Sequence, residues 1–356
     1  MTTIQDVARL AHVSVSSVSN VLNGKADRMR PETYTRIEEA IRKLGYRPNQ
    51  AARQLKTGRS PILGLLVPTT ANPFFGQLAM SMETYAQQQY GHRVLLCNTH
   101  RDKQLEAAMF DDLIAFGVRA VIVVSSLSDE QHIEAAMARG LAVISFDLGP
   151  DPGSVIRHDY VLPDNVAAGT LAARHLIEYG HSHLAFAMPK GLTYSRRQKI
   201  EGFMAAIDQE SGKASGRVVE GKSLTRYGDT ELASMGYDMA ATIVNMDPRP
   251  TGVVTVNDMM AVGLMAGIRD QGLLIPDDMS IVGMDDLTLS AFTWPPLTSI
   301  CMPMQAMSCT MVDRAVARIA QPDLEAEEIC FEPTLTIRKS VAAPSTGRHQ
   351  SRPGSR

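Results

Sequence analysis

The chain has 356 residues, 44% of them apolar, and a net charge of −3. That is room for two or three ordinary globular domains, and no run approaches the ~18 apolar residues of a membrane-spanning helix. The charge is uneven: residues 1–60 hold eleven Lys/Arg against five Asp/Glu, a net of +6, while the rest hold twenty-four against thirty-three, a net of −9. A basic terminus on an acidic body is the electrostatic footprint of a nucleic-acid-binding headpiece.

Asp6 and Arg9 precede any apolar run, so the N-terminus does not read as a signal peptide. Cys97, Cys301, Cys309 and Cys330 stand far apart with no C-x-x-C pair, which reads as reduced thiols in a cytoplasmic protein. His181 and His183 are the closest approach to a metal pair. They precede an apolar run and read as a surface turn, so no metal site is expected.

Thr3 followed three residues later by Asp6 predicts a capped helix over residues 4–11, with Ile4, Val7, Ala8 and Ala11 on one face. His12-Val13-Ser14 breaks it. Ser14 then reads as the N-cap of a second helix from Val15 to about Leu22. At ~100° per residue, Val18, Val21 and Leu22 share one side, and Ser16, Ser19 and Asn20 the other. Pro31 opens a third helix with an Ile37, Ile41, Leu44 stripe, ended by Gly45. Two short helices joined by a three-residue turn form a helix-turn-helix pattern. A merely solvated face would use Glu, Lys and Gln. Short hydrogen-bonding side chains instead let a helix approach base edges in the major groove.

The string Thr3-Ile4-Gln5-Asp6-Val7-Ala8-Arg9-Leu10-Ala11-His12-Val13-Ser14, with Val18-Ser19-Asn20-Val21-Leu22-Asn23, resembles the headpiece of the lactose-repressor/galactose-repressor family. Gly45-Tyr46-Arg47-Pro48-Asn49 and Ala52-Arg53-Gln54-Leu55 resemble its next signature. The resemblance implies that Val15, Ser16 and Asn20 read bases, and that Ser14, Ser19 and Asn23 contact the DNA backbone. Thr3, Ser17, Asn49 and Ala52 complete the expected DNA face. His12 departs from the usual glycine of the turn. That place needs a left-handed backbone, which His tolerates better than most residues.

Residues 49–56 make at most about two helical turns, marginal alone in water. Ala51, Ala52 and Leu55 nevertheless form an apolar stripe beside Arg53 and Lys56. By the resemblance, two such hinges from a dimer pair in the minor groove. Leu55 wedges between base pairs, and Arg53 and Lys56 meet phosphates.

From Ile62 onward, apolar runs at 62–67, 94–96, 120–124, 142–144, 184–187, 252–256 and 280–282 alternate with helical stretches at 74–89, 104–116, 165–179 and 259–271. Such alternation predicts parallel sheets covered on both faces, and about 275 residues exceed one comfortable core. The fold class expected is therefore an all-α helix-turn-helix headpiece plus an α/β core of two doubly wound lobes. The core resembles the periplasmic sugar-binding proteins. The predicted division is a DNA-binding domain at 1–47, hinge and linker at 48–60, core at 61–341 and a disordered tail at 342–356. The first lobe would take about 61–162 with a return near 293–320, the second about 163–292 with 321–341.

No G-x-G-x-x-G follows the first strand, and no Walker loop, G-x-S-x-G or H-E-x-x-H appears, so neither catalytic residues nor a cofactor are expected. Ligands of such sheets bind at the strand ends. The candidates there are Phe74 and Phe75 after the first strand and Asp147 after the fourth. Tyr194, Ser195, Arg197 and Lys199 open a later helix, Asn257 follows the Val256 strand and Asp285 follows Met284. Asp258 reads as a helix N-cap. The resemblance implies that Asn257 and Asp285 hydrogen-bond a sugar-like effector and that Phe74 and Phe75 touch it. Lys199 stands where many relatives have arginine, so either Lys199 or Arg197 supplies the cation. The expected partners are double-stranded operator DNA, a small-molecule effector that the resemblance implies is a sugar or sugar derivative, and a second copy of the chain, with no membrane. Most of the family repress and are released by a sugar; some instead need a corepressor such as a nucleobase.

Overall fold

The computed structural model describes residues 2–22, 25–26, 29–46, 61–124, 130–150, 155–223 and 231–345. The chain forms two compact units, Met1–Ser60 and Pro61–Arg356.

The first unit holds α1 (Ile4–Leu10), α2 (Val15–Leu22) and α3 (Pro31–Leu44). Thr3 and Asp6 form the reciprocal capping box that their spacing predicts. His12 takes the left-handed conformation the turn requires, with φ 52°. Ser14 Oγ accepts the Ser17 N–H at 3.1 Å, and Gly45 ends α3 at φ 56°. Val7, Ala8, Ala11, Val18, Ile37 and Ala40 bury together as a small core.

The second unit contains two six-stranded sheets. The first is built from β1 (Ile62–Val67), β2 (Arg93–Asn98), β3 (Ala120–Val123), β4 (Ala142–Phe146), β5 (Asp159–Pro163) and β11 (Glu328–Phe331). Its order is β11-β5-β4-β3-β1-β2 and all its pairings are parallel. The second is built from β6 (His183–Lys190), β7 (Ser215–Ser223), β8 (Gly252–Thr255), β9 (Ser280–Met284), β10 (Thr298–Cys301) and β12 (Thr334–Thr336). Its order is β12-β10-β9-β8-β6-β7, parallel but for the β10–β12 pair. Strands such as β3, β5, β8 and β9 are buried along their whole length. That is why they read as unbroken apolar runs and not as alternating ones.

Helices α4 (Pro73–Tyr90), α5 (Lys103–Ala115), α6 (Gln131–Ala138) and α11 (Met304–Ala320) accompany the first sheet. Helices α7 (Asn165–Glu178), α8 (Tyr194–Asp208), α9 (Leu232–Val244) and α10 (Asp258–Asp270) accompany the second. Gly169 on α7 and Gly202 on α8 let these two helices touch backbone to backbone. A Cβ on Gly169 would strike the Lys199 carbonyl, and one on Gly202 the Val166 carbonyl. This close approach fixes where the first turns of α8 stand.

The returns of the chain differ in part from the predicted ones: α11 lies with the first sheet and β12 with the second, as expected, but two strands do not. Ser299 and Ile300 pair with Gly283 and Met284, so 298–301 belongs to the second sheet, not to the first lobe. Glu328 to Phe331 pair with Tyr160 to Pro163, so this segment belongs to the first sheet, not to the second lobe. The chain therefore passes between the lobes three times, at 163–165, 301–304 and 331–334. The start of the segment expected to be a disordered tail is held in the fold, and residues 346–356 lie outside the described residues. Ala342 exchanges hydrogen bonds with the Ser280 hydroxyl, and Val341 is buried.

A buried ionic cluster pins the last return. Asp159, fully buried at the head of β5, accepts from Arg318 Nε at 2.5 Å, Arg314 Nη2 at 2.7 Å and the Glu327 N–H at 2.9 Å. Among the described residues no helix is long and apolar enough to cross a membrane, and all four cysteines are free.

Candidate DNA-contact helix and effector cleft

On α2, Val18 is wholly buried, which turns Val15, Ser16 and Asn20 outward, all exposed. Ser14 is exposed too, and its hydroxyl lies 2.7 Å from that of Ser16 and 2.9 Å from that of Ser17. Ser17 and Ser19 are half-buried at the edges of this surface. Thr3 is exposed but committed to capping α1. Asn23, Asn49, Ala52, Arg53, Leu55 and Lys56 lie outside the described residues.

The second unit has a cleft where the strand ends of its two sheets face each other. From the first sheet come Phe74, Phe75, Arg101, Phe146 and Asp147; from the second, Ser195, Arg196, Lys199, Asn257 and Asp285; Asn165 stands at a crossing. Phe74 is both core and wall. It packs edge-on to Phe75 at 5.4 Å and stacks on Phe146 at 6.4 Å, yet its ring lines the cleft. Asp147 and Asp285 occupy positive-φ positions of 60° and 115° directly after β4 and β9. Such backbones are uncommon outside glycine and gather at functional sites. Asn257 caps α10 by accepting the Met260 N–H at 3.0 Å. Lys199 Nζ donates to the Val256 carbonyl at 3.3 Å. The mixture of an aromatic wall, two carboxylates, three cations and amides suits a small ligand with apolar faces and many hydroxyl or N–H groups.

Two predicted contacts fall outside this lining. Arg197 is exposed, because one residue along a helix is ~100° around it. The neighbouring Arg196 is the buried one, and it donates to the Gly191 carbonyl at 3.1 Å. Tyr194 instead reaches across to the loop after β4, where a Cβ on Gly149 would stand 2.7 Å from its Cζ. Gln198 Nε2 donates to its hydroxyl at 3.0 Å. Burial pushes the Tyr194 phenol upward. Asp258 does not cap α10; Asn257 does. Asp258 is buried at the first helical position and accepts from Ser290 and Ser299 hydroxyls, both at 2.6 Å, and from the Leu287 N–H at 2.8 Å. It thereby holds the loop that follows Asp285. His181 is not a surface residue: it is buried, with Nδ1 2.9 Å from the Thr251 hydroxyl. Among the described residues no group of three metal-ligating side chains is assembled.

Sequence reading missed Arg101, Arg196, Phe146 and Asn165. Arg101 carries a signal only the backbone shows, a φ of 56° in the loop after β2.

The signature of bacterial regulatory proteins of the lacI family matches residues 3–49, and that of a periplasmic binding protein-like domain matches residues 173–341. A transcriptional repressor PurR of Aliivibrio fischeri is 32% identical over 343 residues, covering 96% of this chain and 98% of the relative. The chain belongs to the lacI family. The ribose operon repressor of Escherichia coli is likewise 32% identical, covering 96% of this chain and all of that one. Among solved structures, a lacI-family regulator of Enterococcus faecium with bound ribose superposes with a TM-score of 0.69 at 27% identity, over 80% of this chain and all of that chain. The lac repressor dimer bound to operator shares the fold, with a TM-score of 0.81 at 24% identity over 96% of this chain and 99% of that one. This lacI-family chain is thus a DNA-binding transcriptional regulator with a small-molecule-binding core, an all-α headpiece joined to two α/β lobes.

Proposed function

We propose that this protein is a homodimeric operator-binding repressor, working in the cytoplasm, whose DNA affinity is set by a sugar held between the two lobes. The observation that carries the DNA half is the outward surface of Val15, Ser16 and Asn20 on a helix anchored by Val18. Two such helices enter successive major grooves of a near-palindromic site. The basic terminus supplies phosphate contacts, so affinity falls steeply with salt. In this reading the hinge at 49–56 meets the minor groove, with Leu55 as its wedge, Arg53 and Lys56 at phosphates, and Asn49 and Ala52 on the same DNA face. The boundaries follow: headpiece to residue 47, hinge and linker to 60, sensor beyond.

The sensor half is supported by the cleft chemistry and by the ribose in the name of one relative and the ligand of another. Carboxylates such as Asp147 and Asp285 accept from sugar hydroxyls, and Phe74 offers a face to the ring. The cleft acts by binding and carries out no reaction. A ligand moves the lobes only by its differential affinity for the two arrangements.

The test is a gel-shift titration on the DNA upstream of this protein's own gene, with D-ribose, other pentoses and hexoses, and nucleobases. The expected result is tight binding that one sugar weakens at least tenfold. Binding that a nucleobase strengthens would replace the sugar inducer with a corepressor. Failure to bind that DNA at any salt would overturn the operator assignment. Asn20→Ala should relax discrimination at one or two base pairs by ~1–3 kcal/mol each. An equal loss on all sequences would remove Asn20 from base reading.

A further inference from the structure

Asn165 is the first residue of α7, placed where the chain first crosses from the β5 end of one lobe to the other. It is buried and lines the cleft. Its amide meets both lobes: Nδ2 donates to Asp147 Oδ1 at 3.1 Å and lies 3.5 Å from Gln198 Oε1. Both neighbours on that side present acceptor oxygens, Oδ1 of Asp147 and Oε1 of Gln198. The orientation of the amide is therefore fixed with Nδ2 toward Asp147 and Oδ1 on the other side. Gln198 Nε2 in turn donates to the Tyr194 hydroxyl. Asn165 Oδ1 is buried and has no hydrogen-bond donor. Buried polar atoms are otherwise nearly always paired, and an unpaired acceptor costs free energy until a donor arrives.

We propose that Asn165 is a specificity-determining residue of the cleft, its Oδ1 accepting a hydroxyl of the bound sugar. The inference rests on the sugar reading of the cleft. It adds a consequence for signalling. Asn165 already touches Asp147 of the first lobe and Gln198 of the second, so a hydroxyl seated on it bonds to an amide that both lobes share. A ligand lacking that hydroxyl leaves the acceptor buried and unpaired, and sites built to hydrogen-bond a hydroxyl reject such analogues strongly.

The experiment is calorimetric titration of the full-length dimer with D-ribose and its single-deoxy analogues, in the wild type and in Asn165→Ala. The expected result is that one analogue binds the wild type roughly 10- to 100-fold more weakly than D-ribose. Asn165→Ala should bind D-ribose with a comparable loss and should bind that same analogue as well as D-ribose. A merely structural role would weaken both sugars equally and keep their ratio, which would overturn the proposal. So would unchanged D-ribose affinity in Asn165→Ala. Thermal melting of the unliganded variant checks folding. If Asn165→Ala does not melt cooperatively, Asn165→Ser, with a shorter side chain, runs the same cycle and the same loss of discrimination is expected. If neither D-ribose nor any analogue binds the wild type, the ribose reading of the cleft fails and the proposal with it; if they bind but the ratio survives substitution, only the role of Asn165 fails.

Discussion

Among the described residues each lobe of the core buries one aspartate completely, and the two behave in opposite ways. Asp159 in the first lobe and Asp258 in the second are both without exposed surface. Burial pushes both carboxyls up. At Asp159 the hydrogen bonds from Arg318, Arg314 and the Glu327 N–H outweigh it and hold the group below the ordinary 3.8. At Asp258 the donors are two serine hydroxyls and the Leu287 N–H, all neutral, and burial wins, lifting the group to about 6. The two histidines that flank this comparison serve as controls. His158 in the first lobe and His181 in the second are both lowered by burial to about 4. Burial therefore acts alike in both lobes, and what separates the aspartates is whether a formal charge answers them.

The largest effect should come from breaking the charged cluster. Asp159→Asn keeps the shape but leaves two guanidinium groups facing a neutral amide around a buried site. Removing one member of such a buried ionic group costs about 3–5 kcal/mol. Urea unfolding should show that loss, and it should be constant between pH 5 and 7. With its folded pKa depressed, the Asp159 contribution is present above 3.8 and is lost as pH falls through the lower folded value. A loss that already shrinks between pH 7 and 5 would mean Asp159 is not held ionised by its arginines.

The same cluster explains part of what was not legible in the sequence. Arg314 and Arg318 lie on α11, more than 150 residues from Asp159, and no local pattern links them. The strand they help to place, β11, and the strands β10 and β12 of the other crossings have three or four residues each, too short for a period to register, so β10 and β11 are expected in the wrong lobes while α11 and β12 fall where expected. The headpiece is the opposite case. Its capping box, its His12 turn and the outward side of α2 all follow from contacts within a few residues, and all were readable. The cleft lies between these extremes. Phe74, Asp147, Ser195, Lys199, Asn257 and Asp285 end strands or open helices and could be found from the alternation. Arg196 was missed for Arg197 because the run Tyr194-Ser195-Arg196-Arg197-Gln198-Lys199 has no aliphatic residue and only Tyr194 at its start, too little to set the phase of the helix. Asn165 was missed because its signal is an unpaired atom, which only the assembled site reveals.

A smaller effect tests the histidine controls. His181 folded takes its proton near pH 4, against 6.5 when unfolded, so its contribution to stability is full above 6.5 and is lost as pH falls toward 4. Between pH 7 and 5 that amounts to about 2 kcal/mol. His181→Asn offers an amide to the Thr251 hydroxyl and cannot titrate. The fall in unfolding free energy from pH 7 to 5 should be shallower by about that amount than in the wild type. An identical slope would show that His181 is solvated in the folded protein and that the burial argument fails in the second lobe.

The smallest and most discriminating effect belongs to Asp258, because its sign is reversed. Its folded pKa is above the unfolded 3.8, so its contribution is full below 3.8 and is lost as pH rises through about 6. Going from pH 7 to 5, this one carboxyl stabilises the fold by about 1 kcal/mol while the histidines destabilise it. Asp258→Asn removes the titration. Relative to the wild type, the variant should therefore look progressively worse as pH drops from 7 to 5, by about 1 kcal/mol. Asp159→Asn should show no such drift over that range. The substitution also tests the site, since Ser290, Ser299 and Leu287 all hang from the Asp258 carboxyl and carry the loop beyond Asp285. If neutral donors alone suffice to hold that loop, Asp258→Asn should keep effector affinity within a few-fold at pH 5, where the wild-type carboxyl is itself mostly protonated. A large loss at pH 5 would mean that the charge, not the shape, organises the Asp285 side of the cleft.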